Sequence, residues 1–232
     1  MKAVIIAAGR GERLGYLTSQ TPKPLITLKK HSLIEYVITS FKKAGINDFL
    51  IVTGYKGELI QKKLGEGKKL GVNITYVSNS QWQNGNATSL IAAREELHDD
   101  KNFILSMSDH IYNETLIFKA LNDYNGKPMV CVDRSPIHVK DIEDATKVMV
   151  GLDGLVKDIG KEIWDWNCID TGVFILPSNV FNILDETGSE LSKLMMMLVE
   201  ARKLVACDVT GIPWLDVDNL RDLEYARTVV PL

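Results

Sequence analysis

Two short stretches near the start of the chain have the residue types of a phosphate site. The first is Ala7-Ala8-Gly9-Arg10-Gly11-Glu12-Arg13-Leu14-Gly15. Glycines let the backbone take positive φ and approach a ligand closely, and the exposed amides of such a loop cradle phosphate oxygens. Arg13 adds a planar donor that can grip a phosphate with two hydrogen bonds. The second stretch is Thr21-Pro22-Lys23-Pro24-Leu25. Prolines on both sides of Lys23 stiffen the loop, so its ammonium is placed with little entropy left to lose. Either stretch alone says little. A glycine loop directly after a first buried strand, followed by a proline-bracketed lysine, is a strong signal of a phosphate-binding loop.

Other nucleotide loops fit less well. A Walker A loop needs GxxxxGK[ST], which the chain lacks. A dinucleotide fingerprint needs GxGxxG. Gly9 and Gly11 satisfy its start, but Leu14 takes the third glycine position and Gly15 comes one residue late. The second strand runs into Val52-Thr53-Gly54-Tyr55, with no acidic residue to hold a ribose.

Carboxylates supply the next chemistry. Asp109, in Ser108-Asp109-His110, falls at the expected C-terminal end of a buried strand, where open α/β sheets place their ligands. Asp109 is expected to bind Mg²⁺, which uses few protein carboxylates and takes its other ligands from substrate phosphates and water. A partner carboxylate is expected from Trp214-Leu215-Asp216-Val217-Asp218. If that segment is extended, Asp216 and Asp218 are expected to point to opposite sides, so that only one faces Asp109. Asp216 is favoured slightly, leaving Asp218 or Asn219 to cap the last helix. His110 is expected to support the site rather than act as a base. A phosphate monoester has a second pKa near ~6 and is mostly a dianion at neutral pH, so it needs no base to attack phosphorus.

These groups need a scaffold. Residues 3–8 form an apolar run of strand length, as in a strand buried on both faces. Further strands are expected at 49–53, 73–77, 103–107 and 129–132, with helices at 32–44, 58–64, 87–97 and around 116–121. Ser32 with Glu35 makes a capping box, and Gly45 a helix stop. The alternation predicts an α/β fold, a three-layer α/β/α sandwich on a mostly parallel open sheet. Strands at 146–150, 155–159 and 171–176, a turn at Asp153-Gly154, and helices at 180–184, 191–201 and 220–229 complete it. With no linker or repeat, 1–232 is expected to be one domain. If the two phosphate stretches make a nucleotide site, residues 1–133 would form its nucleotide-binding part and 134–232 an acceptor-binding part ending in a C-terminal helix.

Composition narrows the classes. The chain has 232 residues, with 45% hydrophobic and 25% charged residues and a formal net charge of −3. That excludes a nucleic-acid binder working by bulk positive charge. Three scattered cysteines, Cys131, Cys168 and Cys207, form no CxxC pair, so neither a disulfide framework nor a structural zinc site is expected. No apolar run reaches the ~20 residues of a membrane span. A cytoplasmic protein is the expectation.

On the glycine loop, TPKPL and the aspartate motifs, the chain resembles the nucleotidylyltransferases that activate sugar 1-phosphates, a Rossmann-like nucleotide-diphospho-sugar transferase fold. The resemblance implies that Ala7, Ala8, Gly9 and Gly11 wrap the triphosphate, and that catalytic Arg13 and Lys23 contact its phosphates. It implies that the loop 79–90 reads the base, with Asn79, Gln83 and Gly85 as candidates. It places an acceptor-phosphate lysine at Lys161, with Lys147 and Asp170 beside it. It also makes WLDVD the second metal motif. Ser108-Asp109-His110-Ile111-Tyr112, Asp133-Arg134-Ser135-Pro136, the stretch ending Asp144-Ala145-Thr146-Lys147-Val148, Ile159-Gly160-Lys161 and Cys168-Ile169-Asp170-Thr171-Gly172 are most similar to the CTP:inositol-1-phosphate cytidylyltransferases. Some of these are fused to a membrane synthase, and this chain would be a free-standing form. The implied reaction is CTP plus inositol 1-phosphate giving CDP-inositol and pyrophosphate, with Mg²⁺. The expected partners are CTP and a small phosphate monoester, with no nucleic acid and no membrane, and a homodimer is allowed for. Rival readings are a phosphocholine or sugar-1-phosphate nucleotidylyltransferase, with Trp164, Trp166 and Tyr112 as a choline cage, and an idle nucleotide-sensing subunit.

Overall fold

The computed structural model describes residues 1–139, 141–187 and 191–230. Its centre is strand β1 (Lys2–Ala7), in which Ala3 through Ala7 are all buried. Side chains alternate across a strand. Ala3, Ile5 and Ala7 therefore join one apolar layer, and Val4 and Ile6 the other. A strand with both faces covered needs helices on both sides, and the following sequence supplies them.

In chain order come α1 (Leu17–Gln20), the two-residue strands β2 (Thr27–Leu28) and β3 (His31–Ser32), α2 (Leu33–Lys43), β4 (Asp48–Thr53), α3 (Gly57–Leu64), β5 (Asn73–Ser78), α4 (Asn86–Ala92) and β6 (Asn102–Met107). Next are β7 (His110–Tyr112), α5 (Glu114–Asp123), β8 (Met129–Asp133), β9 (Lys147–Val150), β10 (Val156–Gly160) and β11 (Cys168–Pro177). The chain ends with α6 (Val180–Thr187), α7 (Leu191–Glu200), β12 (Val205–Asp208), β13 (Trp214–Asp216) and α8 (Leu220–Val229). The capping box of α2 forms as its sequence predicts, with Glu35 accepting from the Ser32 backbone amide.

The main sheet has nine strands in the order β10-β9-β11-β6-β1-β4-β5, with β8 on β11 and β12 on β8. Most strands share the direction of β1, while β10 and β11 oppose it. This is the mostly parallel sheet expected, and its strands come from both sides of residue 133. One face carries α2, α3 and α5, whose Ile34, Phe41, Ile60 and Leu116 are buried. The other carries α4, α6 and α7 through Leu90, Phe181 and Leu198. Among the described residues, no helix is long and apolar enough to cross a membrane. The three cysteines are buried free thiols.

Several elements differ from expectation. The helix predicted over 87–97 stops at Ala92, and a separate 3-10 turn spans Glu95–Leu97. Strand β11 starts at Cys168 rather than 171. Its second half pairs with β6, and its first residues run past the end of β6 to meet β9. A register shift between Asp170 and Phe174 separates the two halves. Strands β7, β12 and β13 have no counterpart in the sequence reading. They are three or four residues long, too short to show a period.

Candidate active site

A third apolar cluster underlies the charged residues. Leu14 comes from the glycine loop, Ile26 from the chain after TPKPL, Ile111 and Leu215 from the β7–β13 ribbon, and Val217 from between the two aspartates. Leu223 and Ala226 of α8 close it from below. The polar neighbours of these side chains are thereby gathered at the C-terminal end of β1 and β6, the edge where parallel sheets hold ligands.

Lys23 stands at the centre. Its Nζ donates to Asp109 Oδ2 and to Asp218 Oδ1, both at 2.6 Å. Burial works against its charge, but Asp109 and Asp218 outweigh it and hold the lysine pKa above its ordinary value. Burial also disfavours the charge of Asp109, but Lys23 and His110 pull that carboxyl well below the usual range. His110 Nδ1 lies 2.7 Å from Asp109 Oδ1. An ionised carboxylate only accepts, so Nδ1 carries the proton. The ring stacks on Trp214 and Tyr112, and its Nε2 would lie 2.8 Å from a Cβ at Gly172, where φ is +76°. His110 is thus a packed support for Asp109, as expected of it.

Gly11 is required by this arrangement. Its φ is +70°, and a Cβ there would lie 2.6 Å from Cβ of Lys23. At Gly9 a Cβ would meet nothing within 4 Å. Protein packing therefore explains Gly11 and leaves the glycine at position 9 unexplained. Ala7 and Ala8 are buried, and the Ala8 carbonyl accepts from the Tyr55 amide at 2.9 Å.

The second aspartate differs from the one favoured. Ribbon pairing sets His110 opposite Asp216, and the Val217 amide donates to the Asp109 carbonyl at 3.0 Å. Asp218, beyond the end of β13, is the residue that shares Lys23 with Asp109. Asp216 stays beside His110, and burial pushes its carboxyl up, with Asp218 and Asp109 adding to the shift. Alternation does not part the two carboxylates as expected, because residues two apart share a strand face; they part because Asp218 lies beyond the end of β13. Asn219 caps α8, accepting from the Arg221 and Asp222 amides.

Arg13 donates through Nη2 to Asp218 Oδ2 at 2.8 Å and through Nη1 to Asp144. Burial opposes its charge, but Asp218 and Asp144 hold its pKa up. Lys161 Nζ donates to the other oxygen of Asp144 at 2.6 Å. Lys147 donates to the carbonyls of Lys161 at 2.6 Å and Glu143 at 3.1 Å. Its ammonium is thus committed to holding the backbone of the Lys161 loop. Asp170 sits at the register shift of β11 and accepts from the Gly172 amide at 2.7 Å. Burial pushes its carboxyl up to about 6. Asp144 was not singled out in the sequence, where it is one of three acidic residues in a short polar run.

The loop after β5 is built around Asn79. Its amide donates to Thr88 at 2.9 Å and Ser89 at 3.0 Å, while its oxygen accepts from the Gln81 amide at 2.8 Å. Buried and bonded in this way, Asn79 fixes the loop and has no free N–H donor to offer a base. Gln83 is exposed on the 3-10 turn Trp82–Asn84, and Gly85 leads into α4 with φ 104°. The aromatic cage that the rival choline reading needs is not assembled. Tyr112 is buried with its hydroxyl against Ser106, whereas Trp164 is 98% exposed.

The carboxylate pair suits a hard cation. Lys23 Nζ already lies between the two groups, so they converge on a single positive charge. Among the described residues, no group of three or more His, Cys, Asp or Glu is placed to hold a metal ion. Two carboxylates without a complete protein cage match a cation that takes its other ligands from phosphate and water.

A bifunctional IPC transferase and DIPP synthase of Archaeoglobus fulgidus is 34% identical over 98% of this chain and 43% of its own length. A protein of the same description from Aquifex aeolicus is 33% identical over 97% of this chain and 50% of its own length. The chain thus spans about half the length of these curated relatives. The solved structure of the inositol-1-phosphate CTP transferase from T. maritima superposes with a TM-score of 0.85 at 25% identity, covering 100% of this chain and 98% of that one. A sequence model of the family described as nucleotidyl transferase matches residues 2–137. With a glycine loop folded onto a buried lysine and that lysine held by a carboxylate pair, the chain belongs to the nucleotidyl transferase family.

Proposed function

We propose that the chain transfers a cytidylyl group from CTP to inositol 1-phosphate and releases pyrophosphate. The observation that carries this reading is the buried Lys23 ammonium between Asp109 and Asp218, against the glycine loop. The name of the T. maritima structure supports the choice of nucleotide and acceptor.

The acceptor phosphate, a dianion near neutral pH, attacks the α-phosphorus of CTP. A new P–O bond forms as the bond to the bridging oxygen breaks, and the electron pair leaves with pyrophosphate. Gly9 admits the triphosphate, since its Cα faces open space. Arg13 and Lys23 neutralise the charge that builds on the α-phosphate and the leaving group, the main task in phosphoryl-type transfer. Lys161 receives the acceptor phosphate on a loop held by Lys147. Asp170 accepts from a ring hydroxyl, and Gln83 and Gly85 face the base. Members of this family generally use a divalent metal. Here Asp109 and Asp218 would hold Mg²⁺, which when bound supplies further neutralisation of phosphate charge.

The test is a matrix of four nucleoside triphosphates against a panel of phosphate monoesters, scored by pyrophosphate release. CTP with inositol 1-phosphate and magnesium is expected to exceed every other pair. Turnover that survives a chelator, or a preference for another pair, would replace this assignment.

A further inference from the structure

Asp144 has a place in the charge network that its exposure does not suggest. It lies in the segment between β8 and β9, and its two carboxylate oxygens take different cations. One receives Arg13 from the glycine loop, and the other receives Lys161 from the loop after β10, at 2.6 Å. The Asp144 amide donates to Asp141 Oδ1 at 3.2 Å, and Lys147 ties the carbonyls of Glu143 and Lys161 together. One carboxylate therefore bridges the glycine loop and the loop after β10. A carboxylate and a phosphate present the same kind of oxygen acceptor to guanidinium and ammonium donors.

We propose that Asp144 is an internal placeholder for phosphate, pairing Arg13 with Lys161 until the substrate phosphates displace it. This rests on the nucleotidylyl-transfer reading, which makes Arg13 and Lys161 phosphate contacts. The bridge keeps two like charges close together on one carboxylate. Each incoming phosphate then exchanges one anionic partner for another, so neither cation has to be ordered anew. The cost is competition: Asp144 weakens the binding of the first phosphate ligand. The side chains are half-exposed, Arg13 at 55%, Lys161 at 51% and Asp144 at 37%, so each pair is individually weak. The competition is therefore worth about a two- to fivefold change in affinity.

Calorimetric titration of the whole protein with inorganic pyrophosphate in magnesium tests this. Asp144→Asn and Asp144→Ala are each expected to bind pyrophosphate about two- to fivefold more tightly than wild type. Glu143→Gln removes the same charge one residue away without touching Arg13 or Lys161, and is expected to bind as wild type does. Unchanged or weaker binding by both Asp144 variants overturns the placeholder and leaves the nucleotidylyl reading standing. Equal tightening by Glu143→Gln also overturns it, because net charge then accounts for the gain. A wild type that binds no pyrophosphate takes down the nucleotidylyl reading and the placeholder together.

Discussion

Lys23 keeps a charge where burial disfavours one, and two aspartates make that tolerable. An ammonium fixed in advance costs no reorganisation when charge develops on the reacting phosphates. Lys23→Ala is expected to lower kcat by roughly 10²–10³ while changing the KM for CTP far less. A raised KM with kcat intact would make the lysine a uniform binder. The two C-terminal carboxylates are expected to differ. Asp218→Asn removes a charge that Lys23 and Arg13 both use, and activity should nearly vanish. Asp216→Asn should only weaken it, and steady-state rates of the two variants settle the order. Asp170 gives a pH signature. Its pKa of about 6 exceeds the ordinary 3.8, so the native state binds the proton more tightly than the unfolded state does. Stability from this group is therefore greatest below about pH 4 and is lost as pH rises through about 6. Asp170→Asn is expected to stabilise the protein at pH 8 by about 1–3 kcal/mol and to do nothing at pH 4, as read by denaturant midpoints.

At the scale of elements, the glycine loop and the short ribbon do most of the positioning. Gly11 lies against the stem of Lys23, so Gly11→Ala adds both a left-handed alanine and a 2.6 Å clash. The left-handed conformation alone costs about 1–2 kcal/mol, and relief of the clash must move Lys23. Both the melting temperature and activity should fall. Gly9→Ala meets open space and should melt with the wild type. If CTP approaches Gly9, the same substitution should raise the KM for CTP at least several-fold. A Gly9→Ala enzyme with normal kinetics would remove that glycine from the nucleotide site. The Ser32–Glu35 box, by contrast, is legible in the sequence, because a cap is set by residues three apart. The ribbon was not legible, because β7 and β13 are far apart in sequence and each is too short to show its period.

Across the whole molecule, two apolar layers enclose the sheet and a third cluster supports the site. The glycine loop, the carboxylates and the Lys161 loop are joined by charges drawn from distant parts of the chain, from Arg13 to Asp218. A ligand that binds such a cleft only in the native state stabilises the whole fold. CTP with magnesium at a hundredfold excess over its Kd should add about 2.7 kcal/mol. For a chain of this size that corresponds to a melting shift of roughly 5–10 °C. CTP with chelator should give much less, and an equal shift without metal would remove the cation from the nucleotide complex.

The sequence by itself determined most of the scaffold and marked the residues to which the proposed chemistry is assigned. The buried strand before the glycines, the proline-bracketed lysine, the helix caps and the alternation of strands and helices are local signals, carried by neighbours in the chain. Tertiary structure decided which of these groups meet. It chose Asp218 over Asp216, because ribbon pairing and the end of β13 set that geometry. It committed buried Asn79 to its own loop, since a buried polar group must find partners that spacing does not reveal, and it turned the half-buried Lys147 to two backbone carbonyls. It also brought Asp144 between Arg13 and Lys161, across 131 and 17 residues of chain, a meeting that depends on strand order and register and leaves no periodic trace in the sequence.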